Sequence, residues 1–170
     1  MIIQRIIKEC TKLTGSFILR SGLHTDVYFD KYQFEADPRL LRLIALELIK
    51  LIPEDTQILA GLEMGGIPLA VILSQITGLP TAFIRKQAKT YGTCRYAEGA
   101  ELRGSRVVLI EDVISTGGAV ICAIDKLNED GVFPTRVVGV INREIGGVDA
   151  VEEMGVHCVC LYTASQIEGS

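Results

Sequence analysis

The sequence predicts a single α/β domain, spanning residues 1–170, with a mostly parallel five-stranded sheet flanked by helices and a small hood beside it. The first observation behind this prediction is a series of short, continuous apolar runs of the kind found in buried parallel strands. The second is that glycine-rich turns follow several of these runs and lead into helical patterns. The chain also lacks an internal repeat, a low-complexity tract or a linker.

Five apolar runs are the candidate strands of the main sheet. They occupy residues 58–62, 81–84, 107–110, 137–141 and 156–161. Their β-branched content and their length of four to six residues favour strands over helices. In an open α/β sheet, the carboxyl ends of such strands form the usual ligand-binding edge.

The amino-terminal part predicts an amphipathic helix over residues 2–13 and then a hairpin of two short strands within 16–30. We expect the hood to come mainly from residues 14–35 and the C-terminal segment. Asp37 and Pro38 are typical of a helix start, and the apolar pattern after them continues to residue 52. This helix is apolar around most of its circumference, so it either packs against a second subunit or is a covered core helix.

The composition is that of an ordinary globular protein, with 48% hydrophobic and 22% charged residues and a net charge of −4. The acidic balance gives no general reason to expect nucleic acid or an anionic membrane as a partner. Five cysteines without a C-x-x-C pair are typical of reduced thiols, and no apolar segment is long enough to cross a bilayer. The first residues lack the apolar core of a signal peptide, so we expect a cytoplasmic location.

The stretch 107–120 carries the clearest functional pattern. Glu111 and Asp112 stand at the carboxyl end of a predicted strand, and Ser115, Thr116, Gly117 and Gly118 follow at the start of a predicted helix. Helix N-termini favour anions, and carboxylates accept hydrogen bonds from sugar hydroxyls, so the pattern indicates a phosphorylated sugar. The alternative is an ordinary turn in which Ser115 or Thr116 only caps the helix.

Two further segments predict charged contacts near this turn. Residues 85–99 concentrate Arg85, Lys86, Lys89 and Arg95 in what we expect to be a long mobile loop suited to a polyanionic substrate. Arg143 follows the predicted strand 137–141 at the same edge of the sheet. It can clamp a carboxylate of a ligand, or it can form a salt bridge to Glu111, Asp112 or Glu144.

Segment 107–120 resembles the phosphoribosyl pyrophosphate (PRPP) signature of the type I phosphoribosyltransferases, and other segments resemble the orotate branch of that family. These segments are Phe17-Ile18-Leu19-Arg20-Ser21-Gly22, Tyr28-Phe29-Asp30, Gly65-Gly66-Ile67-Pro68-Leu69-Ala70, Arg85-Lys86-x-x-Lys89-x-Tyr91-Gly92-Thr93, Glu98-Gly99 and Asn142-Arg143-Glu144-x-Gly146-Gly147. The resemblance implies the type I phosphoribosyltransferase fold. It also implies transfer of phosphoribose from PRPP to orotate, with Mg2+ held mainly by PRPP and without a dedicated metal site in the chain.

The resemblance implies a homodimer in which the loop of about residues 86–98 reaches the neighbouring site. It implies catalytic roles for Lys89 and Asp112. The implied PRPP-binding residues are Arg85, Lys86, Lys89, Tyr91, Glu111, Asp112, Val113, Ile114, Ser115, Thr116, Gly117, Gly118 and Ala119. The implied orotate-binding residues are Arg20, Tyr28, Phe29, Ser115 and Arg143.

Several positions differ from residues common in that family. Glu63-Met64 stands where many members have a basic residue, and Arg20, Tyr91 and Asn142 replace Lys, His and Asp. Two alternatives therefore stay open: a phosphoribosyltransferase for another nucleobase, and a non-catalytic PRPP-sensing regulator on the same fold.

Overall fold

The computed structural model describes residues 2–18, 24–88 and 95–170, with Thr25, Val27 and Phe29 described by their backbone only. The strands are β1 Lys12–Ile18, β2 His24–Phe29, β3 Ile58–Leu62, β4 Thr81–Ile84, β5 Ala97–Gly99, β6 Val107–Ile114, β7 Arg136–Asn142 and β8 His157–Thr163. The helices are α1 Ile2–Thr11, α2 Tyr32–Ala36, α3 Pro38–Leu48, α4 Gly66–Thr77, α5 Gly118–Glu129, α6 Gly147–Glu152 and α7 Ala164–Glu168. A short 3-10 helix, Ile49–Leu51, follows α3.

The main sheet has six strands in the order β5-β4-β3-β6-β7-β8. Five of them, β4, β3, β6, β7 and β8, pair in parallel and correspond to the five predicted runs. The predicted strand count of five is wrong, because β5 adds an antiparallel edge strand to β4. Residues Ala97–Gly99 were expected within the loop; three residues are too few for an alternating pattern to show.

Helices cover both faces of this sheet, and β6 contributes to both cores. Val107 and Leu109 pack into one core with α5 and α6. Val108 and Ile110 pack into the other core, with α1, α2, α3, α4 and α7. Burial on both faces is the reason that the strand has no polar alternation in its first four residues. The predicted α/β class with flanking helices is confirmed.

The amino-terminal prediction is largely confirmed, with shifted boundaries. The first helix ends at Thr11, before the predicted residue 13, because Lys12 already pairs with Phe29 in the β1–β2 hairpin. Asp37 caps α3 as predicted, accepting hydrogen bonds from the backbone N–H groups of Arg39 (2.8 Å) and Leu40 (3.2 Å). The α-helix ends at Leu48 instead of residue 52, and its last turn tightens into the 3-10 helix.

Gly61 allows α4 to lie close against β3. A Cβ at this position would stand 2.5 Å from the carbonyl oxygen of Gly66 and 2.9 Å from the Cβ of Ala70. Both of these neighbours belong to α4, one of them as backbone, so neither can move without shifting the helix. The close approach fixes where the first glycine turn, residues 63–66, leaves the sheet.

We predict that Gly61→Ala lowers the free energy of unfolding by about 1–3 kcal/mol, as overpacking of a tight core does. Urea unfolding followed by circular dichroism measures this change. Gly118→Ala is the matched control, since a Cβ there has its nearest neighbour at 3.8 Å and lies in a helix. Equal losses in the two variants would contradict the packing role of Gly61.

Candidate functional site

Asp112 lies at the carboxyl end of β6 and is completely buried. Its Oδ1 accepts the backbone N–H of Val113 at 2.6 Å, and its Oδ2 lies 2.6 Å from the Nζ of Lys31. The Lys31 side chain is 37% exposed, whereas the Asp112 side chain is 0% exposed. The lysine therefore connects a fully buried carboxylate with the surface of the site.

A second carboxyl group, that of Glu35 on α2, meets Asp112 beside Gly65. A Cβ at position 65 would overlap Oδ2 of Asp112 and would lie 2.6 Å from Oε1 of Glu35. The two acidic oxygens thus crowd the same point, and only a glycine leaves room for them. Glu35 Oε1 is buried and has no hydrogen-bond donor among the described residues.

The pKa values of Glu35, Glu111 and Asp112 are set by burial, by the contacts among these acids and by the charge of Lys31. Burial, the hydrogen bond to Asp112 and the charge of Asp112 raise the pKa of Glu35 to about 8. Burial and the same partner raise the pKa of Glu111 well above its usual range. Burial acts to raise the pKa of Asp112 too, but hydrogen bonds from Glu111, Glu35 and Lys31 outweigh it and lower that pKa to about 2. Near neutral pH, Asp112 is charged and Lys31 is its counterion.

Helix α5 begins directly after the acidic strand end, and its first turn is open to a ligand. Gly117 occupies the N-cap position with φ at 78°, and no side chain caps the helix. The N–H groups of the first turn thus lack the capping partner that an ordinary turn supplies, which favours an anion over the alternative in which Ser115 or Thr116 caps. Ser115 is half-buried, whereas Thr116, Gly118 and Ala119 are exposed.

The first glycine turn lies beside this helix start. A Cβ at Gly66 would overlap the carbonyl oxygen of Ile110, which places the turn directly on β6. Glu63 connects the first glycine turn to the segment that begins at Arg85. Its Oε2 accepts a hydrogen bond from the backbone N–H of Lys86 at 3.1 Å. A cavity of about 230 Å³ is lined by Arg85, Lys86 and Ala119 among others, so the structure brings these three predicted PRPP residues together.

The turn after β7 packs on the other side of the signature. A Cβ at Gly147 would overlap the carbonyl oxygen of Ser115, and the N–H of Arg143 donates to the carbonyl of Ile114 at 2.9 Å. The Glu144 carboxylate accepts the N–H (2.7 Å) and Oγ–H (2.9 Å) of Ser165, and these bonds lower the pKa of Glu144.

The salt bridge considered for Arg143 is not formed within the part of the chain that the structure describes. Asp112 is engaged by Lys31, and Glu144 is engaged by Ser165. The Arg143 side chain is exposed at the edge of the site. Its guanidinium therefore remains available for a carboxylate from outside the chain.

Two of the remaining predicted residues, Tyr28 and Phe29, lie on β2. Tyr28 is exposed on β2, with its ring 5.5 Å from the ring of Phe17. Phe29 is described by its backbone, which pairs with Lys12. Arg20, Lys89 and Tyr91 lie outside the described residues.

Two residues of this site, Lys31 and Glu35, were not predicted from the sequence. Lys31 is a single lysine between a hairpin and a helix, and Glu35 is a single acid on a five-residue helix. Their partner Asp112 is distant in sequence, so local spacing contains no signal for the contact. Asp112 itself was predicted as a ligand-facing acid, and the structure places it in the core with both oxygens engaged.

Comparison with known proteins identifies the family. The model of the phosphoribosyl transferase domain matches residues 33–149. An orotate phosphoribosyltransferase of Nocardioides sp. strain JS614 is 45% identical over 164 residues, which cover 96% of this chain and 92% of the relative. The chain belongs to the orotate phosphoribosyltransferase family.

Solved structures of orotate phosphoribosyltransferases have the same fold. The enzyme from Mycobacterium tuberculosis H37Rv, in complex with Fe(III) dicitrate, superposes with a TM-score of 0.85 at 26% identity and covers 98% of this chain and 97% of its own. A structure of that enzyme in complex with PRPP has a TM-score of 0.79 at 22% identity, covering 98% and 89%. The type I phosphoribosyltransferase fold expected from the sequence is confirmed.

Within residues 2–18, 24–88 and 95–170, no helix has the length and the apolar composition needed to cross a membrane.

We predict that Lys31→Met lowers the free energy of unfolding by about 2 kcal/mol. Removing one partner of a fully buried pair costs about 3–5 kcal/mol, and solvent at the exposed part of the lysine reduces this. Denaturant unfolding measures the loss. The matched control is Lys50→Met, whose exposed 2.6 Å pair with Glu47 should change stability by about 0.5 kcal/mol or less.

The double variant Lys31→Met/Asp112→Asn separates charge from packing. Neutralising the carboxylate removes the unpaired charge, so the double variant should be more stable than Lys31→Met alone. If the stability losses of the single variants Lys31→Met and Asp112→Asn simply add in the double variant, the ion pair does not stabilise the end of β6.

Proposed function

We propose that this chain carries out the reaction of its family, transferring the phosphoribosyl group of PRPP to orotate in pyrimidine biosynthesis. One observation carries the proposal: an acidic strand end, an uncapped helix start, two cations and an arginine without an ion pair among the described residues lie around one edge of the sheet. The reaction yields orotidine 5′-monophosphate and pyrophosphate.

On the donor side, the uncapped first turn of α5 would bind the 5′-phosphate. Residues Ser115 to Ala119 supply backbone N–H groups and two hydroxyls there. Val113 and Ile114 lead from the acids into this turn. Glu111, which is 8% exposed, is the better placed of the two acids to meet a ribose hydroxyl, with Asp112 behind it. This refines the expectation that both acids bind the ribose directly.

The leaving pyrophosphate would be bound by Arg85, Lys86, Lys89 and Tyr91. Breaking the bond between the ribose C1 and oxygen builds negative charge on the pyrophosphate, so cations there stabilise the transition state more than the ground state. Support comes from the cavity that Arg85 and Lys86 share with the first turn of α5. Lys89, which lies outside the described residues, keeps its proposed catalytic role.

The acceptor side would use Arg143 as the partner of the orotate carboxylate. Its guanidinium forms no ion pair with the described residues, which favours an acidic base over a purine, because a purine offers no carboxylate. Arg20, Tyr28, Phe29 and Ser115 complete the proposed orotate site, with the hood of residues 14–35 and the C-terminal segment beside it.

Mg2+ is the proposed cofactor. The described residues contain no group of three or more His, Cys, Asp or Glu side chains suited to a metal ion. We assign the ion mainly to oxygens of PRPP, where it would neutralise pyrophosphate charge. The chain's own residues bind and orient the substrates.

We predict that the protein with Mg2+ and PRPP consumes orotate absorbance and leaves adenine and hypoxanthine unreacted. Arg143→Ala should raise KM for orotate about 10- to 100-fold, the effect of a lost charged hydrogen-bonding pair, with a smaller change in KM for PRPP. Arg39→Ala, which replaces an arginine that is 92% exposed, is the matched control.

Turnover of a purine but not of orotate would overturn the acceptor assignment. PRPP binding without turnover of any base would favour the non-catalytic regulator instead.

We also propose a cytoplasmic homodimer, with the loop of about residues 86–98 reaching the neighbouring site. Support comes from α3, which buries Leu40, Leu41 and Ile44 yet leaves Leu43 and Leu46 more than 40% exposed. Two exposed leucines on a helix that is otherwise packed favour a second subunit as their cover. Part of this loop, residues 89–94, lies outside the described residues.

Subunit mixing tests the shared site. Lys89→Ala and Asp112→Asn should each lower kcat on the order of a hundredfold or more. A mixture that exchanges subunits should recover about a quarter of the wild-type activity, because half of the dimers are mixed and each holds one intact site. No recovery despite exchange, or a monomer by sedimentation, would contradict the proposal.

A further inference from the structure

Glu35 is a half-buried acid of the site to which the family reaction gives no task. It lies on α2, outside the signature, and its Oε1 is buried next to Oδ2 of Asp112. Two ionised carboxylates cannot share one point at this spacing without strong repulsion. One of them must carry a proton, and that proton can form a hydrogen bond between them.

The surroundings determine which acid carries the proton. Asp112 already accepts from Val113 and faces Lys31, and both contacts favour its charged form. Glu35 has no such donor among the described residues. The charged and titratable groups around Glu35 are Asp30 and Lys31 on its own segment and Glu111 and Asp112 on β6. Of these, Lys31 alone is a cation, and it lies against Asp112.

We propose that Glu35 is a positioning residue of the PRPP site, which donates a hydrogen bond to Asp112 as a protonated carboxyl and so fixes the acidic end of β6. This inference rests on the proposed function. Glu35 acts through Asp112, whose other oxygen contacts Val113 at the start of the phosphate-binding turn. Lys31 supplies the charge and Glu35 the neutral donor.

The sign of the pH effect follows from the raised pKa of Glu35. Its pKa rises from 4.5 to about 8 in the folded chain, so the proton stays bound up to about that pH. Above it, two carboxylates face each other and only one lysine is present. The stabilisation by the bound proton is complete below 4.5 and is lost as the pH rises through about 8.

Three variants test the proposal in the full-length protein, with PRPP binding measured by titration calorimetry across this range. Wild-type binding should weaken as the pH rises through about 8. Glu35→Gln keeps a neutral N–H donor at every pH, so its binding should change less. Glu35→Ala should bind PRPP on the order of tenfold more weakly already at neutral pH, since the hydrogen bond to a charged acceptor is lost. Gln33→Ala, on the exposed side of α2, should follow the wild type.

Infrared spectroscopy of the ligand-free protein tests the proton itself, without any substrate. The difference between wild type and Glu35→Gln should contain one protonated-carboxyl band near neutral pH, and this band should vanish at a pH of about 9. This readout does not depend on which base is the acceptor, so it separates the proposal from the proposed reaction.

Identical pH profiles for wild type and Glu35→Gln, or a missing infrared band, would overturn the proposal. So would equal weakening by Gln and Ala, which indicates a purely structural role. If Glu35→Ala fails to fold, the profile of Glu35→Gln and the infrared band still decide the outcome.

Discussion

The burial of Asp112 at the end of the central strand β6 is the constraint on which the site depends. A carboxylate removed from water is strongly destabilising unless it is paired and hydrogen-bonded. Here a backbone N–H satisfies one oxygen and Lys31 neutralises the other. The absence of a side chain at residue 65 and the protonation of Glu35 both follow from this one buried charge.

Close backbone contacts then bring the other turns to the same edge. Gly66 packs against the backbone carbonyl of Ile110, and Gly147 packs against the backbone carbonyl of Ser115. Gly117 lies between them, with a left-handed φ and with a Cβ position only 2.7 Å from the carbonyl of Gly147. Because these contacts are between main chains, any side chain at the three glycines would separate the turns. The resulting geometry is set by the sheet and not by flexible side chains.

Much of the fold could be predicted from the sequence, because long buried runs carry a strong local signal. The five parallel strands, the cap at Asp37 and the turn at Gly117 are of this kind. Strand β5 and helices α2 and α7 were missed, since elements of three to five residues depend on tertiary contacts more than on pattern.

In the site, the signature turn was predicted correctly as an uncapped helix start, but the environment of Asp112 was not. Adjacent residues of a strand face opposite sides of the sheet, so two consecutive acids cannot both be assumed to face a ligand. Glu111 and Asp112 have nearly the same local sequence context, and only the packing of α2 distinguishes them. Lys31 and Glu35 could be found only through their contact with Asp112.

The pairing of charges also explains why Arg143 is available for its proposed role in specificity. An arginine among several acids would ordinarily form a salt bridge, which would compete with any carboxylate ligand. In this chain the nearby acids are already engaged: Asp112 by Lys31, and Glu144 by the N-terminus of α7 through Ser165. Burial and the contact with Asp112 raise the pKa of Glu111. The same cluster therefore leaves Arg143 without an ion pair among the described residues, so the proposed donor and acceptor sites depend on a shared balance of charge.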